Sequence, residues 1–580
     1  MSVAASTKRR LGGAAITLGL ILAVAAALRF HDVTYRTLNH PEVYSPGIDL
    51  PWGLSNPNPR FSLFQTLAGS ISGEPHPPGY YILMLGWTKL AGSSLLALRL
   101  PSVLFGIGSV LLVYGIARKL ESGSAALLAA AMLALNGLHL ELSQIARMYS
   151  MACFLGLAST LLLVDLTSEK RRLRLRAALY VVVTVAGLGT HVYVWPLFLT
   201  QILWVIVADR AERGSLTGLL RLQLFTWILA TPLIAIALYQ MGHTTRPPTL
   251  GPVAGLFSFL QAGALFEMAK LDFARPRANE AAAALAIIMT MVLLAAYVRM
   301  RHEQGDTRSV MAHRVPAPPR LATTGLAVLM ASLIVLFAYV ATRILPGRSV
   351  SLVVASCVLP LALAAVDFWV AGRADRREDH PASAGPGRLG ALLRSLPVML
   401  AVVPVSCVAG FSLVNPIFTE RGAMVYAPYL LIVLAAGLAY LLRRNRSWVT
   451  LVLLLAGVHG LSLAYFKSKP VRRDFKTLAA RWVSRIEPSD LIFVHGRGHQ
   501  FDWEVAPIYY YMNAARYHYV GRDFGEAVQR SPRSRVWVLS IGSIPTEAEA
   551  LDALAGRRIE EQIRASGLTA ALHVPDKGGR

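Results

Sequence analysis

Long apolar runs separated by short polar segments organise the chain. Roughly thirteen of these runs approach the length of about 20 residues that a helix needs to cross hydrocarbon. The first extends from Leu11 to Phe30 behind Lys8, Arg9 and Arg10. Its small-residue run, AVAAAL, lies inside the apolar stretch itself, which favours a retained anchor over a cleaved signal peptide. Further spans centre near Gly108, Met132, Leu157, Val183, Leu203, Leu229, Ile288, Met330, Leu361, Val403, Val433 and Leu455. The stretch from Val253 to Met268 is short and bounded by Pro247, Pro248 and Pro252, so it reads as a re-entrant or interfacial helix.

Composition agrees with that pattern. Of 580 residues, 54% are hydrophobic and only 16% are charged, against about 25% charged in water-soluble domains. The formal net charge of +24 would point a soluble protein toward nucleic acid. Here the cations fall in the short segments between apolar runs, where they set orientation and contact anionic lipid. Counted from a cytoplasmic N-terminus, Arg118 and Lys119, then Lys170 to Arg176, Arg210 and Arg213, the arginines from Arg299 to Arg320, Arg373 to Arg377 and Arg443 to Arg446 share one face. An odd number of crossings then puts the segment beyond about Lys467 on the opposite face. Cys153, Cys357 and Cys407 sit in apolar runs without metal-ligand or disulfide spacing.

The expected fold class is therefore an all-α polytopic membrane domain of about 13 transmembrane helices plus a small C-terminal α/β domain. The domains are residues 1–466, with a long first extracytoplasmic loop at 31–77, and residues 467–580. In the second, RRDFKTLAARWVSRI reads as an amphipathic helix, DLIFVHG and SRVWVLSIG as buried strands, and APIYYYMN as a helix. GRGHQ after DLIFVHG lacks the spacing of a Gly-rich phosphate loop.

Polar chemistry concentrates on the outer side. The first outer loop is far longer than ordinary connections and carries HPEVYSPGIDLPWGLSNPNPR, with acids, aromatics and rigid Pro/Gly corners. The second, LNGLHLELSQIARMYS, places His139, Glu141, Gln144, Arg147 and Tyr149 at helix ends, where a charge is costly unless it is paired.

The ordered motifs HPPGYYILMLGWTKLAG, ALRLPSVLFGI, SQIARMYSM, THVYVWP and NPIFTERGAMVYAPYLL, behind a long outer loop bearing acids, resemble the bacterial protein-mannosyltransferase-like glycosyltransferases of the GT-C superfamily. That group includes the protein O-mannosyltransferases and the lipid A aminoarabinose transferase. The resemblance implies a multi-spanning, inverting enzyme of the inner (plasma) membrane. It would move a sugar from a polyprenyl-phosphate donor to an acceptor hydroxyl of a protein, lipid or glycan on the extracytoplasmic side. A polytopic transporter or lipid flippase is the alternative, but such proteins show mid-membrane charges and related halves, and no internal repeat is visible here.

In the family the first outer loop carries the catalytic carboxylate, usually in an Asp-Glu pair. This sequence lacks the pair. Glu42 in HPEVYSPG is the nearest match, with Asp49 and Asp32 behind it. A carboxylate held near the acceptor hydroxyl can take its proton during attack on the anomeric carbon; the alternative for Glu42 is a solvated loop acid. Negative charge developing on the departing phosphate calls for cations, and Arg147 and Arg421 match family positions, with snorkelling and a local pair to Glu420 as their structural alternatives. His76, Tyr80, Glu141, Tyr149, His191 and Tyr193 are candidate substrate contacts, because sugars stack on aromatic faces and hydrogen-bond to imidazole. An interfacial aromatic belt is the competing account of the tyrosines. The acid that normally follows the glutamine of the second-loop motif is replaced by Ile145, so a divalent cation has no clear ligand set.

Overall fold

The computed structural model describes residues 2–38, 40–46, 62–73, 76–168, 173–211, 217–243, 290–301, 303, 395–413, 417–449, 473–495, 507–512, 518–520, 524–541 and 552–576. The apolar stretches centred near Met330, Leu361 and Leu455, and the segment 253–268, lie outside them. The described chain divides into two compact units: residues 1–31, 74–80 and 101–468, and residues 32–73, 81–100 and 469–580.

The first unit is helical. It holds α1 (Ser2–Phe30), most of α4 (Leu95–Leu120), α5 (Gly123–Leu135), α6 (Gly137–Ser143), α7 (Tyr149–Ser168), α8 (Leu173–Leu188), α9 (Val194–Ala211), α10 (Thr217–His243), a helical stretch at 290–301, α11 (Leu396–Ser412), the single turn α12 (Glu420–Ala423) and α13 (Ala427–Arg444). Among the described residues, four helices (13–30, α4, α7 and α13) are long and apolar enough to cross a membrane. A fifth span is possible if α5 and α6, which meet at a 60° bend, count as one. This is a multi-pass membrane architecture.

The bend is written in the sequence. Asn136 ends α5 and caps α6, its side-chain oxygen accepting from the His139 N–H at 2.9 Å, as Asn at an N-cap does. Close approaches elsewhere depend on glycine: a Cβ on Gly437 of α13 would lie 2.2 Å from Leu293 O in the 290–301 helix. A neutral polar layer ties α7, α8, α9 and α13 together. Gln201 Oε1 accepts from Ser159 Oγ (3.2 Å) and Tyr180 OH (3.0 Å), its Nε2 donates to Thr160 Oγ1 (3.0 Å), and Thr160 pairs with Tyr429 OH (2.8 Å). Such bonds between helices serve as glue where lipid offers no hydrophobic drive.

The second unit contains α2 (Leu63–Gly73), most of α3 (Gly79–Ala91), the first turn of α4 and the C-terminal region. In the latter, α14 (Phe475–Trp482), α15 (Pro507–Met512) and α16 (Phe524–Arg530) accompany, among the described residues, a five-stranded sheet of order β2-β1-β3-β5-β4. β1 (Leu491–His495) runs parallel to β2 (His518–Val520) and β3 (Val536–Ile541); β5 (Leu568–Pro575) is antiparallel to β3 and to β4 (Arg557–Ala565). The expected helix and strand assignments for FKTLAARW, LIFVH, PIYYYM and VWVLSI all appear. The β4–β5 hairpin turns on Ser566 (φ 31°) and Gly567 (φ 79°), a two-residue turn with both residues at positive φ.

Candidate functional site

Three chain segments of the first unit bring the candidate substrate contacts together. The residue pair starting α3 approaches the turn after α8 so closely that the Gly79 N–H donates to Gly189 O at 2.7 Å, and a Cβ on Gly79 would sit 2.6 Å from that oxygen. This contact sets His76 beside His191, their rings stacked at 5.0 Å and 28°. Gln240 Nε2 donates to His76 O at 2.9 Å from α10. Tyr149, first residue of α7, lies 6.4 Å from His76 and 5.6 Å from His191, and Tyr193 lies 5.3 Å from His191.

The His191 tautomer follows from its neighbours. The Tyr193 N–H donates to His191 Nδ1 at 3.2 Å, so the proton of the neutral ring resides on Nε2. Burial pushes the His191 imidazole down to about 3, with the Arg147 charge adding to the effect. His76 is held well below the ordinary histidine range by the same burial, by His191 and by Arg147. Arg147 is 6% exposed; its N–H closes a tight turn onto Ile145 O at 2.8 Å and its carbonyl accepts from Ser102 Oγ at 3.3 Å. The result is an enclosed guanidinium among neutral imidazoles and phenols, an environment in which a bound anion would gain strongly from the low dielectric.

The late motif reaches the same place. Tyr193 OH donates to Ile417 O and accepts from the Thr419 N–H, both at 2.8 Å, and Tyr426 OH donates to Tyr193 O at 2.6 Å. Gly422 faces the Tyr193 ring, where a Cβ would be 2.6 Å away. Arg421 is exposed on the intervening turn α12. Tyr80 is fully buried at the start of α3, and Glu141 is partly buried on α6. Gln144 donates through Nε2 to the carbonyls of Leu28, Arg29 and His31 at 3.2, 3.0 and 2.8 Å. It thereby satisfies carbonyls that the end of α1 leaves without helical partners.

The first-loop acids fall in the second unit. Glu42, in a 3-10 turn at His40–Tyr44, is fully buried. Arg99 of α4 grips it from the side, Nε to Oε1 at 2.9 Å and Nη2 to Oε2 at 2.7 Å. The remaining guanidinium donors go to Val33 O (2.7 Å), Arg36 O (2.9 Å) and Thr37 O (3.0 Å), so all five N–H groups are used. Asp32 is exposed, with φ 58° just past the end of α1, the left-handed position that commonly ends a helix. Asp49 lies outside the described residues. Arg99 lies within ALRLPSVLFGI, and its sequence signal is an arginine early in an apolar helix, which demands partners. Among the described residues no group of three His, Cys, Asp or Glu side chains is placed to hold a metal ion.

Helices of this length and apolarity, with a buried cationic and aromatic cluster at their ends, define a multi-pass membrane protein. Residues 75–239 match the dolichyl-phosphate-mannose-protein mannosyltransferase family, and this segment contains His76, Arg147, Tyr149, His191 and Tyr193. The GT-C resemblance drawn from the motifs is thus borne out over that stretch. No curated protein matches the sequence. Among solved structures, the chain is similar to the archaeal oligosaccharyltransferase AglB from Archaeoglobus fulgidus in complex with an inhibitory peptide and a dolichol-phosphate. The identity is 12% and the TM-score 0.43, covering 91% of this chain and 69% of that one. It is also similar to ArnT from Cupriavidus metallidurans bound to undecaprenyl phosphate, at 11% identity and TM-score 0.42, covering 95% of this chain and 97% of that one.

Proposed function

We propose that this chain is a membrane glycosyltransferase that moves a sugar from a polyprenyl-phosphate donor to an acceptor hydroxyl on the extracytoplasmic side, with inversion at the anomeric carbon. The observation that carries the reading is the coincidence of the family match at 75–239 with the enclosed cluster of Arg147, His76, His191, Tyr149 and Tyr193. Arg147 receives the negative charge that develops on the departing phosphate, and Arg421 is a second cation for it. The neutral His191, donating through Nε2, hydrogen-bonds sugar or phosphate oxygen, while the tyrosine faces stack on the sugar.

The proton acceptor is assigned to the first outer loop. Glu42 is enclosed and engaged through both oxygens by Arg99, which supports a part in shaping the loop rather than meeting the acceptor. Asp32, exposed at the loop's beginning, is the carboxylate that a substrate hydroxyl can approach, and the residue before it is held by Gln144 of the SQIARMY motif. The orientation with a cytoplasmic N-terminus, about 13 crossings and a bacterial inner-membrane location complete the proposal, resting on the distribution of basic residues.

Purified full-length protein given a polyprenyl-phosphate sugar and a hydroxyl acceptor should release polyprenyl phosphate and glycosylate the acceptor. Asp32→Asn should cut turnover by about 10²-fold or more, the usual worth of a general base, and Arg147→Met by about 10²- to 10³-fold, each with native detergent stability. Movement of the intact donor across vesicles without bond cleavage would replace this reading by a lipid flippase. Full turnover of Asp32→Asn would return the role to Glu42 or Asp49.

A further inference from the structure

The family match ends at residue 239, and the C-terminal region takes no part in the chemistry above. Three of its groups nevertheless hold the outer-loop segments of its own compact unit. Tyr511 OH accepts from the Leu38 N–H at 2.7 Å, Tyr510 OH donates to Ser93 O at 2.9 Å, and Arg473 O accepts from Thr37 Oγ1 at 3.1 Å. The carbonyl of Thr37 and the N–H of Leu38 belong to one peptide plane. Arg99 donates to the carbonyl at 3.0 Å from one edge, and Tyr511 accepts from the N–H at the other. Leu38 is fully buried, so water cannot replace the phenol as partner to its amide. The Tyr510 and Tyr511 rings meet edge-on at 5.0 Å and 90°, which joins the attachment at Leu38 to the attachment at the α3–α4 turn.

We infer that Tyr511 is a positioning residue for sugar transfer, through which the C-terminal α/β domain serves as the template that fixes residues 33–38 of the first outer loop. The domain therefore acts in turnover without touching either substrate. The inference rests on the proposal that this loop supplies the proton acceptor, and it extends that proposal to a region the sequence left without a role.

The test is Tyr511→Phe in the full-length protein, which keeps the ring and removes the acceptor. An orphaned buried donor costs enough to shift a local equilibrium by about 5- to 100-fold. Amide exchange in peptides covering 33–38 should rise by a factor in that range, with exchange of the β3 amides (536–541) unchanged. Transfer kcat should fall by a comparable factor while the donor KM stays within about twofold. Tyr510→Phe should loosen 92–95 more than 33–38. Unchanged exchange at 33–38 overturns the inference. So does faster exchange with undiminished kcat, and so does loosening of the β3 amides to the same degree, which would make Tyr511 a core residue of its own domain. Faster loop exchange in a protein that shows no transfer even as wild type would leave the template role standing and refute the sugar-transfer proposal alone.

Discussion

The buried pair of Glu42 and Arg99 makes a prediction with a definite sign. Arg99→Met removes five donors at once: two from the carboxylate and three from the carbonyls of Val33, Arg36 and Thr37. It also leaves Glu42, 0% exposed, without the arginine that meets its charge. Breaking such a pair from one side costs about 3–5 kcal/mol. At about 1.4 kcal/mol per decade, exchange of the 33–38 amides should accelerate roughly 10²- to 10³-fold. Glu42→Gln, which leaves the guanidinium buried without its counter-charge, should fall in the same range. The double variant Glu42→Gln/Arg99→Met buries no charge; its residual cost is the three carbonyls that lose donors, at about 1–3 kcal/mol for an orphaned buried group, lowered by whatever water reaches them. The double variant should thus exchange more slowly than Arg99→Met alone, although it carries one more substitution. Amide exchange by mass spectrometry in detergent micelles reads all four proteins on the same peptides. A double variant that exchanges as fast as the sum of its singles predicts would show that charge burial is not what holds this loop, and the argument from Coulombic pairing would fall.

Three further outcomes follow from the geometry. Gln201→Ala removes one hydrogen bond each from Tyr180, Ser159 and Thr160, which keep their bonds to Gln223, Thr184 and Tyr429, and opens a cavity between α7 and α9; with about 0.6 kcal/mol per intramembrane bond plus the cavity term, it should cost about 2–4 kcal/mol and lower the detergent Tm. Gly437→Ala would put a Cβ 2.2 Å from Leu293 O, a backbone atom that cannot step aside; the α13 and 290–301 helices must separate, costing about 1–3 kcal/mol, and a Tm equal to wild type would refute the contact. His76 and His191 both have folded-state pKa values pushed below the unfolded 6.5, His191 to about 3. The unfolded chain therefore takes up protons first as pH falls, so stability is complete above about 6.5 and declines toward about 3; His191→Gln should flatten the Tm profile between pH 7.5 and 5, and an unaltered slope would show that these rings are not enclosed.

The parts of this fold that repeat along the chain were legible in its sequence. Apolar runs near Gly108, Met132, Leu157, Val183, Leu203, Leu229, Val403 and Val433 all became helices in the structure, because a continuous apolar run has few alternatives in lipid. The motifs also marked His76, Arg147, Tyr149, His191 and Tyr193, which converge. Pairwise matters were not legible. Glu42 and its guanidinium stand 57 positions apart, and Leu38 and Tyr511 stand 473 apart, and no local pattern specifies either partner. The hairpin of β4 and β5 escaped for a different reason. RRIEEQIRA alternates too weakly on a mostly exposed edge strand, with burial only at Ile563, and its charges belong to an edge that must resist pairing with other chains.

Arg29 shows how the same cation problem has a second solution. It is fully buried at the end of α1, and its described hydrogen bonds run to Ala25 O and Ala134 O at 3.1 Å, Leu133 O at 3.4 Å and His139 Nδ1 at 2.7 Å, without a carboxylate among them. The carbonyls of Leu133 and Ala134 belong to the last turn of α5, immediately before the 60° bend at Asn136. A continuous helix would have spent those oxygens on the next turn, since only the last four carbonyls of a helix lack internal partners. Breaking the span at Asn136 leaves Ala134 O to the guanidinium and Leu133 O shared between Arg29 and the Asn136 N–H at 3.3 Å, and the negative end of the α5 dipole faces the charge. The bend and the buried arginine are therefore one device: each would be costly alone, and together they anchor α1 at the point from which the following loop departs. Arg99 meets its charge with Glu42, whereas Arg29 meets its own with a helix end. That difference explains why the second-loop motif begins with the asparagine that makes the break, and continues into the glutamine that ties down the α1 carbonyls beside it.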